Sequence, residues 1–291
     1  MNRHKDADIT RKDAIRSHAD HYASQRRQWI NRSQYFHAVD KRYMRFLVPS
    51  GKRVLEMGCG AGDLLACVEP LVGVGIDLSA NMVAIAREKH PDLQFITGDV
   101  ENPDTLSGLG ETPFDFIILS DTIGFLDDCQ GTLESLHRLC HRDTRIIVNF
   151  YSHNWSPLLA LLETIGLKMP QRENNYLSLA DIANILDLAD FDLVKQDRHT
   201  LLPMGLFGIG NLVNRYLGSL PVIQRLCLRN YTLARSRRHA PLGEQSVSVI
   251  VPCRNEKGNI EAAVRRLPKF GSHQEVIFIE GHSQDGTYGE I

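Results

Sequence analysis

The stretch Val54-Leu55-Glu56-Met57-Gly58-Cys59-Gly60-Ala61-Gly62-Asp63 decides the fold. An apolar run leads into three glycines at alternate positions, and a helical pattern starts at Asp63. Glycine permits a tight reversal and lets a ligand lie against the main chain with no Cβ in the way. The start of the helix that follows offers free N–H groups to a polar or anionic ligand end. The spacing is G-x-G-x-G with Glu56 two residues ahead of it, which differs from the G-x-G-x-x-G of dinucleotide-binding domains.

Outward from this loop, short apolar runs alternate with helical patterns. The runs are 53–56, 72–77, 93–97, 114–119 and 144–150, and helix spacing occupies 63–69, 80–90 and 131–140. Nearly continuous apolar strands separated by helices predict a parallel sheet covered on both faces, an α/β doubly wound fold. Such folds bind ligands at the carboxyl ends of their strands. Further on, Ser178 is a candidate N-cap for a helix over 178–189, and strands are expected at 191–194 and 231–235. Between them, 201–228 is a mainly apolar insertion. Residues 236–244, with Pro and Gly among polar residues, read as a linker, and strand, helix and strand patterns follow at 246–252, 259–267 and 275–280.

The acids fall where this topology puts a site. Asp77 ends the second strand, where a carboxylate can take both hydroxyls of a ribose. Asp99 ends the third, placed to accept from an adenine amino group, and Ser120-Asp121-Thr122 follow the fourth. Taken singly, each acid is explained as well by a helix cap or a turn. Their succession on consecutive strands is what points to a ligand. Asp121 and His153 are the candidate bases.

These segments resemble the class I S-adenosylmethionine-dependent methyltransferases. VLEMGCGAGDLL is similar to their first motif, VGIDLSANMV to the second, FITGDVEN to the third and FDFIILSDTIGFLDD to the fourth, over about residues 35–235. The resemblance implies a mostly parallel seven-stranded sheet closed by a reversed hairpin near Leu193 and Thr232, with S-adenosylmethionine as cofactor. It implies that Glu56, Gly58, Gly60 and Gly62 hold the methionine and ribose part. Asp77 and Leu78 would meet the ribose, Asp99 and Val100 the adenine, and Ser120 the methionine end. Residues 1–50 would form a helical lid, with Tyr22, Tyr35 and His37 explained equally by packing, and residues 51–240 the methyltransferase domain.

Residues 241–291 carry a second resemblance. VSVIVPCRNEKGNI followed by VIFIEGHSQDGT is similar to the opening of a family 2 (GT-A) glycosyltransferase. That likeness implies a partial nucleotide-sugar site at Pro252, Glu256, Glu280 and Asp285. Glu280 stands where many members have Asp. The family's later D-x-D and base are not in the sequence, so this second α/β segment is expected to be incomplete and not to transfer sugars itself.

Composition narrows the rest. The 291 residues carry a formal net charge of -2, which gives no global attraction for nucleic acid. The first fifty residues are basic, with 11 Lys/Arg against five Asp, and read as a solvated helical face. Six scattered cysteines form no C-x-x-C pair and no metal-ligand pattern, which suits a reducing compartment. No secretory h-region and no 18-residue apolar run is present, so a cytoplasmic protein is expected. The insertion 201–228, with Arg215, Arg225 and Arg229 at or near it, is compatible with a packed helical cap. The packed cap is the favoured reading, and the alternative is a glycolipid or other hydrophobic acceptor with peripheral contact with the inner face of a membrane. The reading is methyl transfer to a small-molecule, sugar or glycolipid acceptor. A nicotinamide dehydrogenase, or a non-catalytic cofactor-binding scaffold, are the competing classes.

Overall fold

A computed structural model describes residues 10–110, 112–164, 166, 168–170, 175, 177–239 and 246–291. Two compact units divide at His239 and Ala240. Residues 240–244 of the expected linker lie outside the described residues, as do 1–9 of the expected lid, and β7 already runs through Ser236.

The first unit opens with three helices, α1 (Arg11–Tyr22), α2 (Arg26–Arg32) and α3 (Gln34–Leu47). The order then runs β1 (Arg53–Met57), α4 (Asp63–Cys67), β2 (Val72–Asp77), α5 (Ala80–Lys89), β3 (Gln94–Thr97), α6 (Pro103–Ser107) and β4 (Phe116–Ser120). It continues with α7 (Cys129–Ser135), β5 (Arg145–Tyr151), α8 (Ser156–Thr164), α9 (Leu179–Leu188), β6 (Phe191–His199), α10 (Ile209–Leu212) and β7 (Arg229–Ser236). The sheet order is β3-β2-β1-β4-β5-β7-β6. Neighbours from β3 to β5 are parallel, and β7 is antiparallel to both β5 and β6. Strand order therefore reverses between β1 and β4, which opens a crevice at their carboxyl ends.

Period-two alternation assigns the strand side chains to two layers. Leu55, Met57, Ile117, Leu119, Ile146 and Val148 face α7 and α9, whose Leu133, Ile182 and Leu186 complete one core. Val54, Ile118, Ile147 and Tyr231 face α3, α4 and α5 through Met44, Leu65 and Val83. Glu56 shares the Val54 face, so alternation alone buries its carboxyl beside α4. α9 begins with the expected cap as a full capping box, Ser178 and Asp181 each bonding the other's backbone.

Several expectations are corrected. The helical pattern at 131–140 is α7 followed by a tighter turn over Leu136–Leu139, and 63–69 forms a helix only as far as Cys67. β6 extends to His199 because β7 pairs with it along its whole length, across a bulge at Leu193/Lys195. The insertion 201–228 is built of short helical segments, continuous over Leu206–Leu217 and resumed at Ile223–Leu226, with Cys227 and Leu228 buried and Phe207, Leu212, Leu217, Leu220 and Val222 exposed. The six cysteines are all free thiols, five of them buried and Cys129 partly so. No helix among the described residues is long and apolar enough to cross a membrane.

The second unit contains β8 (Ser246–Cys253), α11 (Ile260–Arg266), β9 (His273–Glu280) and α12 (Thr287–Glu290), with β8 and β9 paired in parallel. Ile250, Ile277 and Ile279 on its two strands are exposed.

Candidate active site

The turn after β1 folds back onto β2. The N–H groups of Gly58 and Cys59 both donate to the Ile76 carbonyl, at 2.7 and 2.9 Å. Gly58 has φ +74°, and a Cβ there would lie 2.2 Å from Thr122 Oγ1, so no other residue fits. Thr122 is fixed by donating to the Met57 carbonyl at 2.7 Å, which ties the turn after β4 to the end of β1. At Gly60, with φ +53°, a Cβ would meet the Arg26 guanidinium at 3.1 Å. The glycine loop is therefore a shallow cradle with a cationic side chain of α2 lying across it. Gly62 is the left-handed N-cap of α4. That helix has only five residues, and its Leu65 N–H donates to Glu56 Oε2 at 3.0 Å, so its start is partly satisfied from within.

Acids ring this cradle. Burial pushes the Glu56 carboxyl up to about 8, against the Leu65 amide and Arg26, which both favour its ionised form. Asp77 accepts from Gly60 N–H at 2.7 Å and from Ser79 N–H at 2.9 Å. Burial raises it above the ordinary carboxylate range, and those two amides and Arg26 oppose the rise. Leu78 follows it, half-buried. Asp99 accepts from Glu101 N–H at 2.9 Å, and Val100 packs into the core beneath.

Sequence reasoning missed what faces these acids. α1 lies over the strand ends with its charges directed at them. Lys12 Nζ pairs with Asp99 at 2.5 Å and Glu101 at 3.0 Å. Burial works against the Lys12 charge, but the two carboxylates outweigh it and raise its pKa. Asp20 accepts from the Ser79 hydroxyl, and Arg11 bonds the carbonyls of Gly124 and Phe125 at 3.1 and 3.0 Å. The basic N-terminal segment is thus not simply a solvated face. Nothing local in the sequence marks Lys12, Asp20 or Arg26, because their partners stand far along the chain.

The candidate base Asp121 sits just past β4 with φ +54°, its N–H donating to the Asn149 carbonyl at 2.8 Å. Its carboxylate is paired with Arg229 of β7. Arg229 is 1% exposed, bonds Asp40 of α3 at 3.1 Å, and lies under the Tyr151 ring. The Tyr231 hydroxyl donates to the same Asp40. Burial raises the Asp121 pKa, and Arg229 opposes the rise. Ser120 Oγ accepts from Asn149 Nδ2 at 3.0 Å, which fixes the floor next to Asp121. His153 is exposed on the turn after β5. His37 is pushed down to about 4 by burial and is neutral at physiological pH. Tyr35 ties α3 to the insertion by donating to Asn211 Oδ1 at 3.0 Å, and Tyr22 is half-buried.

In the second unit, Pro252 lies in β8. Glu280, at the end of β9, accepts from the His282 N–H at 3.0 Å and from Ser283 N–H. Asp285 accepts from Lys257 N–H at 3.0 Å, and Glu256 accepts from Asn259 Nδ2 at 2.8 Å. These four residues share one end of the two-stranded sheet, with the acids engaged in holding its loops.

A family described as "Methyltransferase domain" matches residues 31–196. The chain belongs to this family. Two solved structures share the fold. An S-adenosylmethionine-dependent methyltransferase of Thermotoga maritima aligns with 77% of this chain and 100% of its own, at TM-score 0.58 and 15% identity. The magnesium protoporphyrin IX methyltransferase of Synechocystis with bound S-adenosylhomocysteine aligns with 78% of this chain and 100% of its own, at TM-score 0.52 and 18% identity. The demethylmenaquinone methyltransferase of Oceanobacillus iheyensis is 26% identical over 109 residues, 35% of this chain. The match spans about half, 46%, of that relative's length. Fold and family together define a class I methyltransferase domain, the class that uses S-adenosylmethionine.

Proposed function

We propose that the first unit binds S-adenosylmethionine at the strand-end cradle and transfers its methyl group to a small-molecule acceptor held between α3, the end of β4 and the insertion. The observation that carries this is the row of acids, Glu56, Asp77 and Asp99, at the ends of β1, β2 and β3 around a glycine loop. Each is matched to a part of the donor: Glu56 to its cationic methionine end, Asp77 to the ribose hydroxyls, Asp99 and Val100 to the adenine. When bound, the cofactor supplies an activated sulfonium methyl, and its chemistry needs little from the protein beyond alignment and exclusion of water. Ser120 and the Thr122 contact fix the floor of the site. Asp121, oriented by Arg229, takes the proton that the acceptor nucleophile gives up. His153 is the alternative base.

The acceptor class rests on likeness. The relative in Oceanobacillus is named for demethylmenaquinone and the Synechocystis structure for magnesium protoporphyrin IX, both small-molecule acceptors. A sugar or glycolipid acceptor follows only from the resemblance of residues 246–291 to the opening of a family 2 glycosyltransferase. The parallel pairing of β8 with β9 supports a nucleotide-sugar half-site at Pro252, Glu256, Glu280 and Asp285.

Calorimetric titration of the whole chain with S-adenosylhomocysteine tests the proposal. Saturable binding is expected, weakened at least tenfold by Asp77→Ala in a variant that still melts cooperatively. No binding by the folded wild-type chain sinks the cofactor reading. Binding without turnover on any acceptor favours the scaffold.

A further inference from the structure

Outside the cofactor cradle, a cleft of about 650 Å³ lies between α3, the end of β6 and the insertion. Three arginines line it, Arg42, Arg198 and Arg215, together with His199 and Thr200. Among the described residues no aspartate or glutamate lines it, and none of the three arginines has a carboxylate partner. Asp197, next in sequence to Arg198, is already engaged by Lys195 at 2.6 Å and by the Tyr43 hydroxyl. Other arginines are neutralised by acids, as Arg11, Arg229, Arg235, Arg237 and Arg238 are, or donate to carbonyls, as Arg32, Arg45 and Arg87 do. Arg198 is half-buried and Arg42 and Arg215 are exposed, and positive charges lining one cleft attract an anion into it.

An independent observation points the same way. Thr200 is 3% exposed, and its hydroxyl has no hydrogen-bond partner. A buried hydroxyl left without a partner is unfavourable unless something arrives to bond it. Thr200 also holds φ +67°, an uncommon conformation for a β-branched residue. Strain and an unmet hydroxyl thus coincide at the wall of a cationic cleft.

We propose that this cleft is an anion site that takes a phosphate or diphosphate group, carried on a lipid or on a soluble ester. Arginine forks match phosphate oxygens in pairs, and the Thr200 hydroxyl supplies a further donor. The insertion that provides Arg215 also exposes Phe207, Leu212, Leu217, Leu220 and Val222, a surface suited to an apolar chain attached to such a group. The cleft adjoins the acceptor side of the fold: His199 packs on Tyr43 at 3.8 Å, Tyr43 on Tyr231 at 4.6 Å, and Tyr231 donates to Asp40 beside Arg229. The site does not depend on methyl transfer.

The test titrates the whole chain with inorganic pyrophosphate by calorimetry, and co-sediments it with phosphatidylcholine vesicles with and without phosphatidic acid. The variants are Thr200→Val and the double variant Arg198→Gln/Arg215→Gln. Saturable binding to pyrophosphate or to the phosphatidic acid vesicles is expected, weakened at least tenfold in the double variant. Thr200→Val should weaken binding several-fold while its ligand-free melting temperature stays level or rises. Pyrophosphate binding without vesicle binding assigns a soluble ester, and binding only to phosphatidic acid vesicles assigns a lipid headgroup. No saturable binding to either probe by the folded wild-type chain overturns the site, as does binding that the double variant leaves unchanged. Titration of the same variants with S-adenosylhomocysteine separates this failure from failure of the cofactor reading, since neither variant alters the cradle.

Discussion

Under the proposed function, the buried Glu56 carboxyl couples the fold to the cofactor. Held up to about 8 by burial, it keeps its proton better in the folded chain than in the unfolded one, where it ionises near its ordinary value. Its contribution to stability is therefore full at acid pH and is lost as pH rises from that ordinary value towards 8. A cationic ligand reverses the preference, because it favours the ionised form. Affinity for S-adenosylmethionine should thus climb with pH and level off above about 8, with a proton released on binding. Calorimetry in buffers of different ionisation enthalpy reads that proton directly, and Glu56→Gln should abolish the release and flatten the profile. Arg229 is the converse case, a buried cation shared by Asp40 and Asp121. Arg229→Met leaves both acids without a counterion and should cost about 3–5 kcal/mol in urea unfolding. Adding Asp40→Asn and Asp121→Asn should recover much of that loss. Both residues were only half legible from sequence. Glu56 announces itself by standing in an apolar run before the glycines. Arg229 precedes a strand like any edge cation, and its role appears only when β7 is laid beside β5.

At the level of elements, the helices over the strand ends matter most. α1 reaches Asp99, Ser79 and the 124–127 turn through Lys12, Asp20 and Arg11, so it spans the carboxyl ends of β2, β3 and β4. The pairs are partly exposed and contribute at most about 1 kcal/mol each. Their effect is expected in rates more than in stability. Lys12→Ala should speed dissociation of S-adenosylhomocysteine several-fold in stopped-flow measurements and leave the melting temperature within a few degrees. An unchanged rate would mean α1 does not cover the bound cofactor. Strands were the legible part of this architecture, because a buried parallel strand is a continuous apolar run whatever surrounds it. α8 was not, since its Leu158, Leu159, Leu161 and Leu162 give a helix too short to show a clear period. The contacts of α1 were not legible either: Lys12 and Asp99 are 87 positions apart, and charges at that separation look solvated until the topology joins them.

Across the whole molecule, family resemblance implied a mostly parallel seven-stranded sheet closed by a reversed hairpin, and the strand order β3-β2-β1-β4-β5-β7-β6 is what the structure adds. Right-handed parallel crossovers place β1 and β4 side by side with their helices departing to opposite faces. That divergence fixes where the cradle and Asp121 meet, although one belongs to the first strand and the other to the fourth. What composition did not disclose was the distribution of charge. A chain of net charge -2 still concentrates three unpaired arginines in one cleft, because overall balance carries no information on placement.

The position of β7 has one more consequence. β6 touches the sheet only through β7, yet β7 comes later in the chain. During synthesis from the N-terminus, Phe191–His199 emerges with no neighbour to receive it, and it stays an open edge until Arg229–Ser236 arrives to slide between it and β5. The 29 residues between the two strands, 200–228, thus set how long the nascent sheet waits with an unpaired edge, which is when strand-to-strand aggregation is most readily templated. Fragments ending before Arg229 should be recovered as aggregates, and the same chain extended past Ser236 as soluble protein.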